Sequence, residues 1–368
     1  MTHIGRPFSF RVLHSMTQEL LNENATSQRE HLIRLLAGVT FLIFFQAYMV
    51  APMLPHLALE FRVSAQRIGL VVAAYLIPYG VSTLFYGLLS DRIGRRRIML
   101  ASLLAFAVLT ALTATSKSST QLILWRFLTG VGASGVVPLA LALIGTLFPY
   151  EQRGRPLGWL FGAMAGGMAF GSTLGVLLEP LISWRGLFLS VSGIGFLALV
   201  WLSRFADLLG TPLTSSALTI RDVWDGYRGL LVDGRARRTY IYVFLNSIFH
   251  SGVFTWLGLY FSQRYGLGEV GIGLALLGYG IPGFVLGPLI GRIADRWGRR
   301  FLIPAGLLIG AFSAAILIPS LSLLLAALAV TTHQPHSQPH DLPRLASFAS
   351  LITIGNSRSA AAGSAQEM

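Results

Sequence analysis

The sequence predicts an all-α integral membrane protein built as two related helix bundles. Three observations lead there. First, 54% of the 368 residues are hydrophobic and only 12% are charged, with mean hydropathy +0.65; soluble domains carry about 25% charged residues. Second, apolar runs of the length a bilayer requires, about 17–25 residues, recur along the chain. Third, the stretch GLLSDRIGRRR at 87–97 returns almost unchanged as GRIADRWGRRF at 291–301.

The complete runs occupy 35–55, 67–89, 98–115, 121–148, 157–178, 186–203, 238–261, 270–291 and 301–319, and a tenth begins at 320–330 and stops short. The first lies well inside the chain without a cleavage signature, so it reads as an anchor and not a removed signal peptide. This divides the chain into a basic, partly amphipathic cytoplasmic tail (1–34) and a six-helix bundle (35–203). A polar, basic cytoplasmic connector (204–237) follows, which reads as an interfacial helix. An incomplete second bundle (238–330) and a polar tail expected to be disordered (331–368) complete it.

The net charge of +13 would suggest nucleic acid in a soluble protein,. Here the basic residues sort by loop. With the N-terminus inside, twenty of the 28 Lys and Arg fall in inner segments and five in outer loops. That is the positive-inside pattern of a multi-pass membrane protein with its N-terminus in the cytoplasm, and it removes nucleic acid as a partner. There is no cysteine, hence no disulfide, thiolate metal site or cysteine nucleophile. No metal constellation, cofactor fingerprint or nucleophile–base pair marks an enzyme.

Shifted by 204 residues, the two halves align without gaps. Ile68-Gly69-Leu70 falls on Ile272-Gly273-Leu274, and Tyr75, Ile77 and Pro78 on Tyr279, Ile281 and Pro282. Gly87, Asp91, Arg92, Gly94, Arg95 and Arg96 fall on Gly291, Asp295, Arg296, Gly298, Arg299 and Arg300. Six spans separate the copies, so the repeat is parallel, as in two six-helix bundles related by an axis along the membrane normal. At these residues the chain resembles the major facilitator superfamily of secondary transporters, whose signature Gly-x-x-x-Asp-Arg-x-Gly-Arg-Arg lies between its second and third helices. The resemblance covers about residues 35–330. LPHLALEF (54–61) looks most like the bacterial drug and metabolite efflux branch.

A helix C-terminus carries about half a negative charge, so Asp91 sits where its own helix disfavours it and needs a compensating partner. Gly87 would admit a neighbouring backbone, and Gly94 permits the tight turn into span three. The resemblance implies that each cluster grips a helix of the opposite bundle while the cytoplasmic side is closed. The twelve signature residues would thus form two conformational latches. By the pseudo-symmetry Asp295 should face the start of span five, near Glu151, Arg153 and Arg155. A plain topology anchor is the alternative for the arginines.

Arg126, in LILWRFLTGVG, lies inside span four, where a charge is costly and suggests function. The resemblance implies that Arg126 and Gly130 serve proton or substrate coupling; an arginine snorkelling to the outer boundary is the alternative. GVGASG (130–135) has the Gly-x-Gly-x-x-Gly spacing but lies inside a spanning run with no preceding strand, so it reads as a packing face. In span five, Gly158, Gly162, Gly166 and Gly167, Gly171, Gly175 make close-packing faces. The efflux branch has a Pro after a Gly here, where this chain has Ser172. Gln46 in span one, with Asn246 and His250 in span seven, are the candidate substrate-cavity residues. No acid lies mid-membrane in the first six spans.

After Thr331 the sequence turns into TTHQPHSQPHDLPR, low-complexity in style. Twelve helices are expected and spans ten to twelve are missing, which suggests truncation or a frame shift. The helix that Asp91 should hold, the eleventh, would then be absent. The function expected is alternating-access transport of a small organic solute, as proton-coupled efflux by a monomer in the lipid bilayer. The alternatives are an inactive inserted remnant and a solute uptake permease.

Overall fold

A computed structural model describes residues 8–210 and 264–297 and short pieces between them, with side chains from residue 27 onward. Most of span seven, Asn246 and His250 included, span nine with Gly298, Arg299 and Arg300, the start of span ten and the tail lie outside the described residues.

All described regular structure is helical. α1 runs Phe8–Tyr48, followed by a 3-10 turn at Ala51–Met53 and by α2 (Leu54–Phe61). α3 spans Ala65–Ile93, α4 Arg95–Ala114, α5 Ser119–Ala133, α6 Val136–Leu147 and α7 Gly154–Ser203. A short α8 (Ala206–Leu209) and the long α9 (Glu269–Trp297) complete the set. Within Ser27–Phe61, Ala65–Gly87, Arg95–Ala114, Ser119–Leu147 and Gly154–Ser203 the described helices are long and apolar enough to cross a membrane.

The local causes are legible. α1 extends back through the basic N-terminal segment because no Gly or Pro interrupts the chain between Phe8 and Leu36. It ends before Pro52 and Pro55, which cannot continue a helix, and LPHLALEF forms a helix of its own, closed by Arg62 in the left-handed region at φ 54°. Ser64 and Ser118 cap α3 and α5, their hydroxyls accepting from Arg67 N and Gln121 N at 3.3 Å each,. Gly94, at φ 100°, makes the reversal between α3 and α4 in a conformation that side chains rarely adopt,. Spans five and six run together as α7 with a break at Ser183, φ 61° and ψ 157°.

Span four is broken once, between α5 and α6. Its freed backbone groups are satisfied from neighbouring helices. The Ser102 hydroxyl donates to Gly132 O and accepts from Gly135 N at 3.1 Å, and Tyr86 donates to Val131 O at 3.0 Å. A Cβ at Gly135 would collide with the Tyr86 ring, and one at Gly130 with the Tyr75 carbonyl oxygen. The GVGASG stretch is therefore a bend and a close-packing surface.

α7 is the spine of the described structure. One of its glycine faces, Gly154, Gly158 and Gly162, meets the backbone of α9 at Gly291, Gly287 and Gly283; a second, Gly167, Gly171 and Gly175, meets Phe41 and Phe45 of α1 and Met49 just beyond its end. A methyl group at any of these positions would overlap the opposing chain. Small residues at every fourth position let helices approach where dispersion and backbone contacts, not hydrophobicity, drive association. Where α1, α7 and α9 meet, Phe41, Phe170 and Phe284 form a triangle with ring centroids 5.7–6.1 Å apart. The contact continues to the far end, where Thr173 Oγ1 donates to Gly273 O at 2.5 Å.

Candidate functional site

The two copies of the repeated motif stand in different surroundings. In the second, Asp295 lies at the last turn of α9 and points at the first turn of α7. Its Oδ1 accepts from Gly154 N at 3.0 Å and its Oδ2 from Arg155 N at 3.2 Å. Those amides are among the four that a helix start leaves without intrahelical partners, and a carboxylate there also meets the positive end of the helix dipole. Gly291, one turn earlier, presses directly on Gly154. The unfavourable place of an acid at its own helix C-terminus is thus offset by another helix's N-terminus.

Around this junction the charges interlock. Glu30 of α1 takes both arms of Arg155, at 2.6 and 3.3 Å, and also Arg34 at 3.2 Å. Arg153 ties the end of α6 by donating to Phe148 O at 2.9 Å and Gly145 O at 2.6 Å. A cavity of about 340 Å³ opens here, lined among others by Glu30, Arg34, Glu151, Arg155, Arg292 and Arg296.

In the first copy Asp91 is half-buried, and its charged neighbour is Arg95, whose Nη1 donates to Thr146 Oγ1 at 3.3 Å. Burial pushes the Asp91 carboxyl above the usual carboxylate range, with Arg95 opposing the rise. Arg92 and Arg96 are exposed, and Gly87 faces open space. No described helix packs on that face of α3. The repeat offset maps Gly69, Gly80, Gly87 and Asp91 onto Gly273, Phe284, Gly291 and Asp295, the positions by which α9 holds α7.

Arg126 is fully buried, so it does not snorkel. Its Nη1 donates to Gln46 O at 3.1 Å and Gln46 Oε1 at 3.0 Å, its Nη2 to Ala47 O at 3.1 Å and its Nε to Val71 O at 3.3 Å. The guanidinium carbon lies 4.3 Å from the centre of the Tyr75 ring. Gln46 and Ala47 belong to the last turn of α1, whose carbonyls lack intrahelical donors. A planar fork with five N–H groups serves several such acceptors at once, as an ammonium could not. The structure thus joins Arg126 and Gln46, two candidates that the sequence left apart, and adds Tyr75. With its oxygen turned to the guanidinium, Gln46 presents a buried Nε2 that has no partner among the described residues,.

Sequence reasoning missed Glu30 and the glycines on α9. Gly283, Gly287 and Gly291 repeat the four-residue spacing of Gly154, Gly158 and Gly162, and matching the two stripes would have found them. It also missed the tie at the other end of the bundle. There Glu60 of α2 accepts from Trp184 Nε1 and Arg185 Nη1 at 2.6 Å each, and His56 Nδ1 meets Glu179 Oε1 at 2.6 Å. Nothing in the spacing of those residues announces the contact.

With this geometry in view, a family model described as Major Facilitator Superfamily matches residues 36–361. The MFS-type transporter YceJ of Bacillus subtilis (strain 168) is 30% identical over 302 residues, covering 81% of this chain and 76% of its own. Multidrug resistance protein 3 of the same organism is 34% identical over 143 residues, 39% of this chain and 28% of its own. Among solved structures, the human organic anion transporter MFSD10 (TETRAN) superposes with a TM-score of 0.68 at 20% identity, over 88% of this chain and 85% of its own.

Proposed function

Since this chain belongs to the Major Facilitator Superfamily, a family of multi-pass membrane transporters and not of enzymes, we propose that it moves a small organic solute outward in exchange for protons. Secondary transport of a small solute follows from membership; direction, coupling and the roles of particular residues are our reading. The observation that carries it is Asp295 seated on the first two amides of α7 beneath the Gly154–Gly291 contact. Such a carboxylate is a releasable tie. It is strong while the helices touch and costly to leave at the end of its own helix when they part. Alternating access needs a junction of this kind at one end of the translocation path.

In this reading the arginine-rich end faces the cytoplasm, as the distribution of basic loops favours, and Gly291 and Asp295 latch it closed. Gly87, Asp91, Arg92, Gly94, Arg95 and Arg96 form the pseudo-symmetric latch on α3. Arg126 and Gly130 serve coupling, with Gln46 lining the substrate path. The likeness to multidrug resistance protein 3 supports outward transport.

The test is transport by the full chain in proteoliposomes loaded with a pH-reporting dye. An imposed gradient of a transported organic solute should drive protons the opposite way, and Asp295→Asn should slow that exchange. If no solute in a broad panel moves protons or exchanges with labelled solute, the transport reading fails. If solute and protons move in the same direction, uptake replaces efflux.

A further inference from the structure

One surface of α9 meets neither α7 nor any other described helix. Ile281, Val285, Leu289, Arg292 and Arg296 follow one another at steps of four, four, three and four residues, which places them on one helical face. The first three are exposed, Val285 by 62% and Leu289 by 50%. Both arginines are exposed too, and neither has an ion-pair partner among the described residues. The apolar stripe leads to a pair of cations one turn apart, at the rim of the 340 Å³ cavity. Ile33, Pro156 and Trp159 give that cavity an apolar wall.

The charges already in the cavity are largely spoken for. Glu30 holds Arg155 and Arg34, and the Asp295 oxygens hold the α7 amides. Glu151 is exposed and leaves the lining one positive charge in excess, with Arg34, Arg155, Arg292 and Arg296 against Glu30, Glu151 and Asp295. Two unengaged guanidiniums beside an apolar wall call for an anion with several acceptor oxygens, which planar N–H forks bind bidentately. A free phosphate would satisfy the arginines and make no use of the stripe. A phospholipid uses both: its phosphate would lie on Arg292 and Arg296, and its chain would follow Leu289, Val285 and Ile281 into the membrane. Trp159, near the same end of α7, has the amphipathic ring that favours headgroup depth.

We propose that this groove is a binding site for an anionic phospholipid, held by Arg292 and Arg296 at the arginine-rich end of α9. Basic pockets between helices on that side of a bilayer are suited to such headgroups. The proposal is independent of what the chain transports and in which direction.

The test is lipid retention by the detergent-purified full chain, read by native mass spectrometry after incubation with equal amounts of phosphatidylglycerol and phosphatidylcholine. Two arginines near the headgroup should favour phosphatidylglycerol by on the order of ten- to thirty-fold. Arg292→Gln with Arg296→Gln should bring the ratio close to one. Arg97→Gln, an exposed arginine at the same end of the bundle and outside the cavity, should leave the preference intact. Val285→Ser with Leu289→Ser should reduce retention of both lipids. Should the double glutamine variant fold poorly, the paired lysine variant must keep a clear preference. The proposal is overturned by equal retention of the two lipids in the unmodified chain, or by an equal loss in Arg97→Gln, which would mean general attraction. Displacement of the lipid by millimolar inorganic phosphate would also overturn it, since the site would then be one for free anions.

Discussion

Replacing Asp295 by asparagine keeps the shape of the side chain and removes its charge, so the change isolates what the carboxylate does at the start of α7. Two N–H···O bonds are at stake, at 3.0 and 3.2 Å. Asparagine can keep one, with its oxygen toward Gly154 N. Its amide nitrogen then faces Arg155 N, donor against donor. A charge-assisted hydrogen bond is worth about 1.5–3 kcal/mol, and an acid at a helix N-terminus about 0.3–1 kcal/mol, up to ~2 kcal/mol when partly buried. Asp295 is part-exposed, so the lower ends apply and the combined loss is about 2 kcal/mol. That is roughly a thirty-fold shift in an open–closed equilibrium; a junction closed about 99 to 1 would fall to about 3 to 1. The absence of native cysteine permits spin labels at Gln152→Cys and Arg292→Cys without background. Pulsed electron resonance should then show a long-distance population in Asp295→Asn that is nearly absent from the parent. An unchanged distance distribution would refute the latch reasoning.

Three further outcomes follow from the same geometry. Gly158→Val should weaken the α7–α9 contact, because its side chain would enter the space of the Gly287 carbonyl; overpacking of about 1–3 kcal/mol should lower the midpoint of thermal unfolding in detergent, whereas Gly193→Val, in open space, should not. Arg126→Lys keeps the charge but cannot reach four oxygens on Gln46, Ala47 and Val71; orphaned buried acceptors at about 1–3 kcal/mol each predict loss of stability and transport together, read by thermal melts and flux. Asp91 should behave oppositely to Asp295. Burial raises its carboxyl in the folded chain, so the fold binds that proton more tightly than the unfolded chain does. Its contribution is complete below the ordinary carboxylate pKa and is lost as pH rises through the raised value. Asp91→Asn should therefore raise the thermal midpoint at neutral pH and remove part of the loss of stability between mildly acidic and neutral pH.

Much of this protein is legible in its sequence alone. The membrane-spanning character follows from composition, because a chain with 12% charged residues cannot cover a soluble surface. The family follows from a repeat that matches at Gly87, Asp91 and Arg92 and again at Gly291, Asp295 and Arg296. The turn at Gly94 and the close-packing glycines of α7 are equally readable, since φ above zero and helix-to-helix contact both select the residue without a Cβ. These are properties of single residues and short spacings, which a linear chain displays directly.

Tertiary structure alone decided which surfaces those residues meet. The repeat points Asp295 at the start of span five and leaves Asp91 without its helix, but the placement of α9 against α7 decides which groups meet: Asp295 accepts from Gly154 N and Arg155 N, while Asp91 lies beside Arg95. The sequence shows Arg126 as a costly charge and Gln46 as an isolated polar residue; packing α5 against the end of α1 makes one the donor for the other. Glu30 with Arg155, and Glu60 with Trp184 and Arg185, join residues separated by more than a hundred positions. The physical reason is the same in each case. Local pattern sets what a residue needs, a donor, an acceptor or room, whereas the partner that meets the need is chosen by helices that come together only in three dimensions.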